Sequence, residues 1–380
     1  MKLSNIQLFE LSPDFLNIFV VFFIFYYFIS RFKINKVFLI YLAILLIFPF
    51  LINDFFISWT MFPDQSRYSE TVNLFRNFEY KILVEKKIFS LENQYFSSNF
   101  ASFIMSLFPI PFITTIKSLG IINRSIISLL ILYFVIKKAC PSFFIYLLLF
   151  TPSIVFYSSL ALRETLVLCI SLFYFYFFFQ KKYIYSILYV SILFILKFSL
   201  CLIYVFTSIL YYIFFIANIR RITKFYTILL MLTLFFIFHE AILLKIYSYK
   251  LGFLDEQFGN SFIPEVVIGS SNRYSILYFF FDLMSGARNF FLSPIVNSKN
   301  IYYYLLFFEY ICIYLIILFI IVRFYKIDKL KIFFWIVVLF FFSSLIGFVI
   351  YNDGTLWRFK IQYLILTIFC MRVSIKKKYK

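Results

Sequence analysis

From Phe15 to Val373 the chain repeats one pattern, an apolar stretch followed by a polar connector, and every second connector carries clustered lysine or arginine. A hydrocarbon core takes about 20 apolar residues per helix, fewer where flanking side chains reach back to the surface. At 64% apolar and 25% aromatic residues, with a mean hydropathy of +0.95, the 380 residues offer too little polar surface to coat a soluble globule. The pattern predicts an all-α, polytopic transmembrane helix bundle, a single integral membrane domain over residues 1–380. Eleven spans are expected: Phe15–Ser30, Val37–Asn53, Leu119–Ile136, Pro141–Tyr157, Thr165–Gln180, Ile184–Leu196, Phe198–Asn218, Phe225–Lys245, Tyr302–Val322, Ile332–Tyr351 and Phe359–Val373. The first lacks a basic leader and a small-residue cleavage site, so it reads as a retained span and not a signal peptide.

Orientation follows from charge, because lysine and arginine near span ends stay in the cytoplasm. Arg31/Lys33/Lys36, Lys137/Lys138, Lys181/Lys182, Arg220/Arg221/Lys224, Arg323/Lys326/Lys329/Lys331 and the tail Lys376–Lys380 all fall on one side of the eleven-span arrangement. That side is expected to be cytoplasmic, with the N-terminus outside and the C-terminus inside. Of the 17 acidic residues only Asp328 falls in an expected cytoplasmic loop, and Glu309 lies within a span. The net charge of +19 thus reports topology and an anionic inner leaflet, not nucleic-acid binding.

Two external segments are long, 54–118 and 246–301. In the first, Phe100–Ile116 is apolar but broken by Pro109 and Pro111; as a full span it would flip Lys137/Lys138 and every later basic loop outward. It is expected to lie in the outer interface or dip back out. The second has a loop-like front with Asp255, Glu256, Gly259 and Pro264, then Tyr274–Phe291, whose Phe clusters alternate with Asp282, Arg288 and Asn289 as in an interfacial helix.

The five cysteines, Cys140, Cys169, Cys201, Cys312 and Cys370, share no metal-ligand spacing and read as packing residues. The single histidine, His239, excludes a multi-histidine centre, while carboxylates leave room for a divalent cation. Ionisable groups at membrane depth are functional candidates, and four clusters are expected at the outer face: Asp64 to Tyr68, Arg163/Glu164, Lys197 at a tight outer turn, and Asp353 to Arg358. Carboxylates beside Lys and Arg suit transfer between a phosphate-activated lipid donor and an acceptor hydroxyl. A carboxylate takes the hydroxyl proton, and cations stabilise the departing phosphate.

Three pieces carry a resemblance: Pro63-Asp64-Gln-Ser-Arg67-Tyr68, Pro152-Ser153-Ile-Val-Phe-Tyr-Ser158-Ser159-Leu-Ala-Leu-Arg163-Glu164, and Gly354-Thr355-Leu-Trp-Arg358. Over mainly Val37–Asn218 the chain resembles the C-type membrane glycosyltransferase fold, and more narrowly the bacterial O-antigen (Wzy-type) surface-polysaccharide polymerases. The resemblance implies that Asp64 is the general base and Glu164 a second carboxylate that orients the acceptor or a divalent ion. It also implies Arg67, Tyr68, Arg163, Lys197 and Arg358 as substrate contacts, and undecaprenyl-linked sugars as donors. The implied setting is the periplasmic face of a bacterial inner membrane, with a flippase and a chain-length regulator as partners. The span Phe15–Ser30 departs from the pattern by preceding the family-like first helix.

Each residue has a plainer reading. Asp64 could be a solvated loop acid or helix cap, Arg163-Glu164 an interfacial ion pair opening a helix, Lys197 a head-group anchor, and His239-Glu240 a helix end. Two other enzyme and non-enzyme readings stay open: a transferase adding one sugar shares the chemistry, and a lipid-linked oligosaccharide flippase is the rival from another class. A membrane scaffold is the third.

Overall fold

Backbone groups in so apolar a chain must find partners locally, and helices provide them within one segment. The computed structural model describes residues 5–53, 64–85, 87–90, 93, 95–113, 115–217, 220–258, 276–293, 301–350 and 353–376, and among these the fold is all-helical, with no strand. The chain divides into two compact units, Met1–Leu202 and Ile203–Lys380. Five helical segments are long and apolar enough to cross a membrane: Pro13–Arg31, Ile116–Ile136, Phe198–Ile216, Leu306–Tyr325 and Lys329–Val349. Val37–Leu51, Glu164–Phe179 and Tyr183–Leu196 are shorter apolar helices.

In the first unit the helices are α1 (Asn5–Arg31), α2 (Val37–Leu45), α3 (Phe48–Leu51), α4 (Asp64–Arg76), α5 (Tyr80–Glu85), α6 (Phe96–Ser106), α7 (Ile116–Ile136), α8 (Ser142–Phe150), α9 (Pro152–Ser158), α10 (Glu164–Phe179) and α11 (Tyr183–Leu196). At its centre, α7 packs against α1, α3, α4, α8, α9 and α10, and most of its side chains are buried. Its start is fixed by a capping box between Thr115 and Ser118. Asp14 of α1 accepts hydrogen bonds from both hydroxyls, placing a carboxylate at the positive end of the α7 dipole. Asn17 pairs in both directions with the Phe112 backbone, so α1 also holds the strand of chain that leads into α7.

The apolar segment ahead of α7 forms only the short helix α6 and then leaves helical geometry before Pro109 and Pro111, in keeping with the expectation that it is not a full span. Arg76 closes that end by donating to the carbonyls of Ser106 (2.8 Å), Phe108 and Ile110 (2.7 Å). The expected span Pro141–Tyr157 is two helices, because Pro152 cannot continue α8 and instead starts α9. Likewise Val37–Asn53 divides before Pro49 into α2 and α3.

Where α1, α7 and α10 end, the following connectors place Lys33, Lys138 and Lys181 in the left-handed region, at φ 52°, 47° and 60°. Each end has paired closing bonds, such as Ala139 N–H to Phe134 O (3.0 Å) with Lys138 N–H to Val135 O (3.2 Å). This is the Schellman geometry that glycine usually serves. Lysine there costs about 1 kcal/mol in backbone strain, offset in part by its charge at the negative end of the helix dipole.

The second unit contains α12 from Ile203 onward (the whole helix is Phe198–Tyr211, continued by a π turn at Tyr212–Ile216), α13 (Arg221–Phe258), α14 (Ile276–Leu292), α15 (Ile301–Tyr325), α16 (Lys329–Val349) and α17 (Asp353–Lys376). One expectation needs correction here. The span expected to stop at Lys245 continues unbroken as α13 to Phe258, passing through Gly252 and taking in Asp255 and Glu256, with no proline to interrupt it; Gly259 and Pro264 lie outside the described residues. The segment expected as a helix over Tyr274–Phe291 corresponds to α14, which docks closely on α16. The contact is backbone to backbone: a Cβ on Gly286 would stand 2.1 Å from Ser344 O, and one on Gly347 would stand 2.1 Å from Gly286 O.

Gly286→Leu is therefore expected to force α14 off α16 and lower stability by at least about 1–3 kcal/mol, whereas Met284→Leu on the exposed face of α14 should be near neutral. Thermal unfolding of the purified variants distinguishes the two.

Candidate functional site

Between α9 and α10, residues Ser159–Arg163 leave the helix, and three side-chain amides answer their backbone groups. Asn53 donates to Ser159 O (3.2 Å), Asn123 of α7 donates to Leu160 O (2.7 Å) and Leu162 O (2.8 Å), and Gln65 of α4 accepts from Ala161 N–H (2.9 Å). The break lies so close to α7 that a Cβ on Gly120 would come within 2.4 Å of Ser159 O. Glycine is needed there for lack of space, not for unusual dihedrals.

On this platform sit five of the residues picked out from the sequence. Asp64 opens α4, half-exposed, with Arg67 Nη2 at 3.1 Å from Oδ1. One turn on, Tyr68 is buried. Its hydroxyl feels the charges of Arg163, Glu164, Asp64 and Arg67, which places the α4 cluster and the Arg163–Glu164 pair in one neighbourhood. Burial pushes the Tyr68 phenol well above its ordinary value; Arg163 pulls the other way, and the two carboxylates add to the rise. Tyr68 thus stays a neutral hydrogen-bonding group at physiological pH. Glu164 is buried in the first turn of α10, where the helix dipole favours a negative charge.

The two arginines are held from α6. Arg163 donates to Ser97 Oγ, and Arg67 lies over the Tyr95 ring, 3.9 Å from its centroid, with Nη2 3.5 Å from Ser98 Oγ. Sequence reading passed over Gln65, Ser97, Ser98, Asn53 and Asn123, whose roles depend on contacts across 31 to 106 residues. It also passed over Arg124, which sits within the apolar run of α7. The far end of α4 borders an apolar cavity of about 520 Å³ lined by Phe75, Phe78, Leu83, Phe89 and Phe103, with Arg76 and Lys87 among its polar residues.

Lys197 is buried in the single non-helical residue that links α11 to the helix Phe198–Tyr211. α11 packs on α6, which carries Ser97 and Ser98. Arg358 belongs to the second unit, where Nη2 stands 3.3 Å from Thr355 Oγ1 near the start of α17. His239 engages the Phe236 carbonyl of its own helix, and Glu240 is exposed. Among the described residues no group of three or more His, Cys, Asp or Glu side chains comes together. Asp64 and Glu164 are the carboxylates of the Tyr68 neighbourhood.

Replacing Asn123 with leucine, which keeps the branched skeleton but is bulkier and apolar, removes the donor for two buried carbonyls. A loss of about 1–3 kcal/mol is expected, with raised amide exchange over Leu160–Glu164; thermal unfolding and exchange mass spectrometry check it.

No family profile, curated protein or solved structure matches this chain.

Proposed function

We propose that this protein is an integral membrane glycosyltransferase that uses polyprenyl-phosphate- or polyprenyl-diphosphate-linked sugars at the outer face of the membrane, polymerising a surface polysaccharide such as O-antigen or capsule. The carrying observation is the grouping of Asp64, Glu164, Arg67 and Arg163 around the neutral Tyr68, on a helix break whose α4 side is open to water. The eleven-span topology, with the N-terminus outside and the C-terminus in the cytoplasm, is part of the proposal and puts this grouping on the periplasmic side of a bacterial inner membrane.

In this reading the acceptor hydroxyl oxygen attacks the anomeric carbon, and the bond from that carbon to the phosphate oxygen breaks. The proton passes to a carboxylate, assigned to Asp64 because it is the exposed one. Arg67 and Arg163 stabilise the negative charge that stays with the leaving phosphate. Tyr68 donates a hydrogen bond to acceptor or donor oxygens. Lys197 is assigned as a further phosphate contact. The apolar cavity beside α4 is of a size to take part of an isoprenoid chain. A flippase that delivers the donor and a chain-length regulator fit as partners.

A second reading, a lipid-linked oligosaccharide transporter, is favoured by one observation: non-helical backbone with a buried arginine beside it, an arrangement common around transport sites.

Gel analysis of surface polysaccharide, in a strain lacking the gene and complemented with each variant, separates these readings. Asp64→Asn and Glu164→Gln, expressed normally, should each lower transfer by about 10²–10⁴-fold and reduce the ladder to a single capped unit. Loss of that single unit as well would favour an earlier sugar transferase or the transporter, and an unchanged ladder would sink the assignment of both carboxylates.

A further inference from the structure

Among the described residues, two cationic side chains are at most 1% exposed, Arg124 and Lys360. Lys360 is well provided for: it donates to Ser293 O just past the end of α14, where the helix dipole is negative, and its ammonium lies 4.0 Å from the centre of the Tyr310 ring. Arg124 is not. Its Nη1 donates to Ser158 Oγ, and among the described residues its Nε has no acceptor and no carboxylate pairs with it. The ionisable neighbour is Tyr41, whose hydroxyl is already used on Leu149 O at 3.0 Å. A buried guanidinium with a single neutral partner is an expense a fold does not keep for packing, since an apolar side chain would fill the space at lower cost.

Location says what the charge answers. Arg124 is eight residues into α7, about 12 Å along the helix from Ile116. Its neighbour Asn123 holds the carbonyls of Leu160 and Leu162, and its partner Ser158 is the last residue before the break. Irregular backbone and an uncompensated cation thus meet at one level of the first unit, and each alone marks a site in a membrane protein. From the other side, α4 lies on the break through Gln65 while Asp64, Ser66 and Glu70 remain exposed. The break thus touches α4 through Ala161 and adjoins Arg124 through Ser158.

We propose that Arg124, held at the end of α9 by Ser158 Oγ, forms an oxyanion site at the α9–α10 break that receives the phosphate of a membrane-borne substrate. The planar guanidinium offers a fork that matches two phosphate oxygens. That the phosphate is carried on a polyprenyl chain rests on the glycosyltransferase reading; the anion site itself rests on the geometry around Arg124.

The test is thermal unfolding of the purified full-length protein in detergent, alone and with undecaprenyl phosphate, undecaprenol or inorganic phosphate. Undecaprenyl phosphate should raise the wild-type Tm and undecaprenol should not. Arg124→Gln, which can still bond to Ser158, should weaken the phosphate-dependent shift by roughly tenfold or more in affinity. Arg124→Met should do the same while raising the Tm of the ligand-free protein, since it removes an unpaired buried charge. Inorganic phosphate giving the same Arg124-dependent shift would uphold the site with a free anion as its occupant. Asp64→Asn should keep the shift, so a failed polysaccharide assay with an intact Arg124 effect would remove the transferase reading and leave the anion site standing. A shift that survives Arg124→Gln, a wild type indifferent to both phosphates, or a ligand-free Tm that falls in Arg124→Met with the shift retained would overturn the proposal.

Discussion

A peptide group that leaves the helix in an apolar interior must be answered by another polar group, or it costs several kcal/mol. The first unit is arranged around one such departure. Ser159–Arg163 sits between α9 and α10, and Asn53, Gln65 and Asn123 converge on it from three different elements. Gly120 keeps α7 bare where the break presses against it. With the break fixed, α10 can begin at Glu164 and Arg163 can reach Ser97. The chemical groups are therefore placed by amides and a glycine that have no chemistry of their own.

Magnitudes separate the charged groups of this region. The Asp64–Arg67 pair is half-open to water, and pairs of that kind contribute about 0–1 kcal/mol. Such a pair is easily parted when a substrate competes for either member. Arg124 is the opposite case, since a guanidinium taken wholly out of water loses several kcal/mol of hydration that one serine hydroxyl does not restore. Tyr68 lies between these extremes, buried among charges of both signs and held neutral. Asp64 at the exposed start of α4, the buried Tyr68 and the wholly buried Arg124 make a series of decreasing exposure.

How far the sequence foretold this differs by element. The apolar stretches and their basic connectors were legible because burial against lipid acts on whole segments, and Pro109 and Pro111 announced that Phe100–Ile116 would not form one long helix. Asp64 and Arg163–Glu164 stood out because charge is rare in such surroundings. Arg124 did not: inside the apolar run of α7 its cost is averaged away, and only the contact with Ser158 shows what it faces. Asn53 and Gln65 look like ordinary polar residues until the break, 96 to 106 positions later, is folded onto them. Gly286 and Gly347 likewise gain meaning only when α14 meets α16. The extension of α13 to Phe258 was missed for a different reason, since polarity was read as a loop where nothing in the backbone required one.

The partners of the break share one property: Asn53, Gln65, Ser97, Asn123 and Arg124 all precede it in the chain. Synthesis runs from the N-terminus, so every side chain that will receive this segment has left the ribosome before the segment itself. The donors and acceptors that the irregular backbone needs are therefore already synthesised when it emerges, whereas partners placed on a later helix would not be.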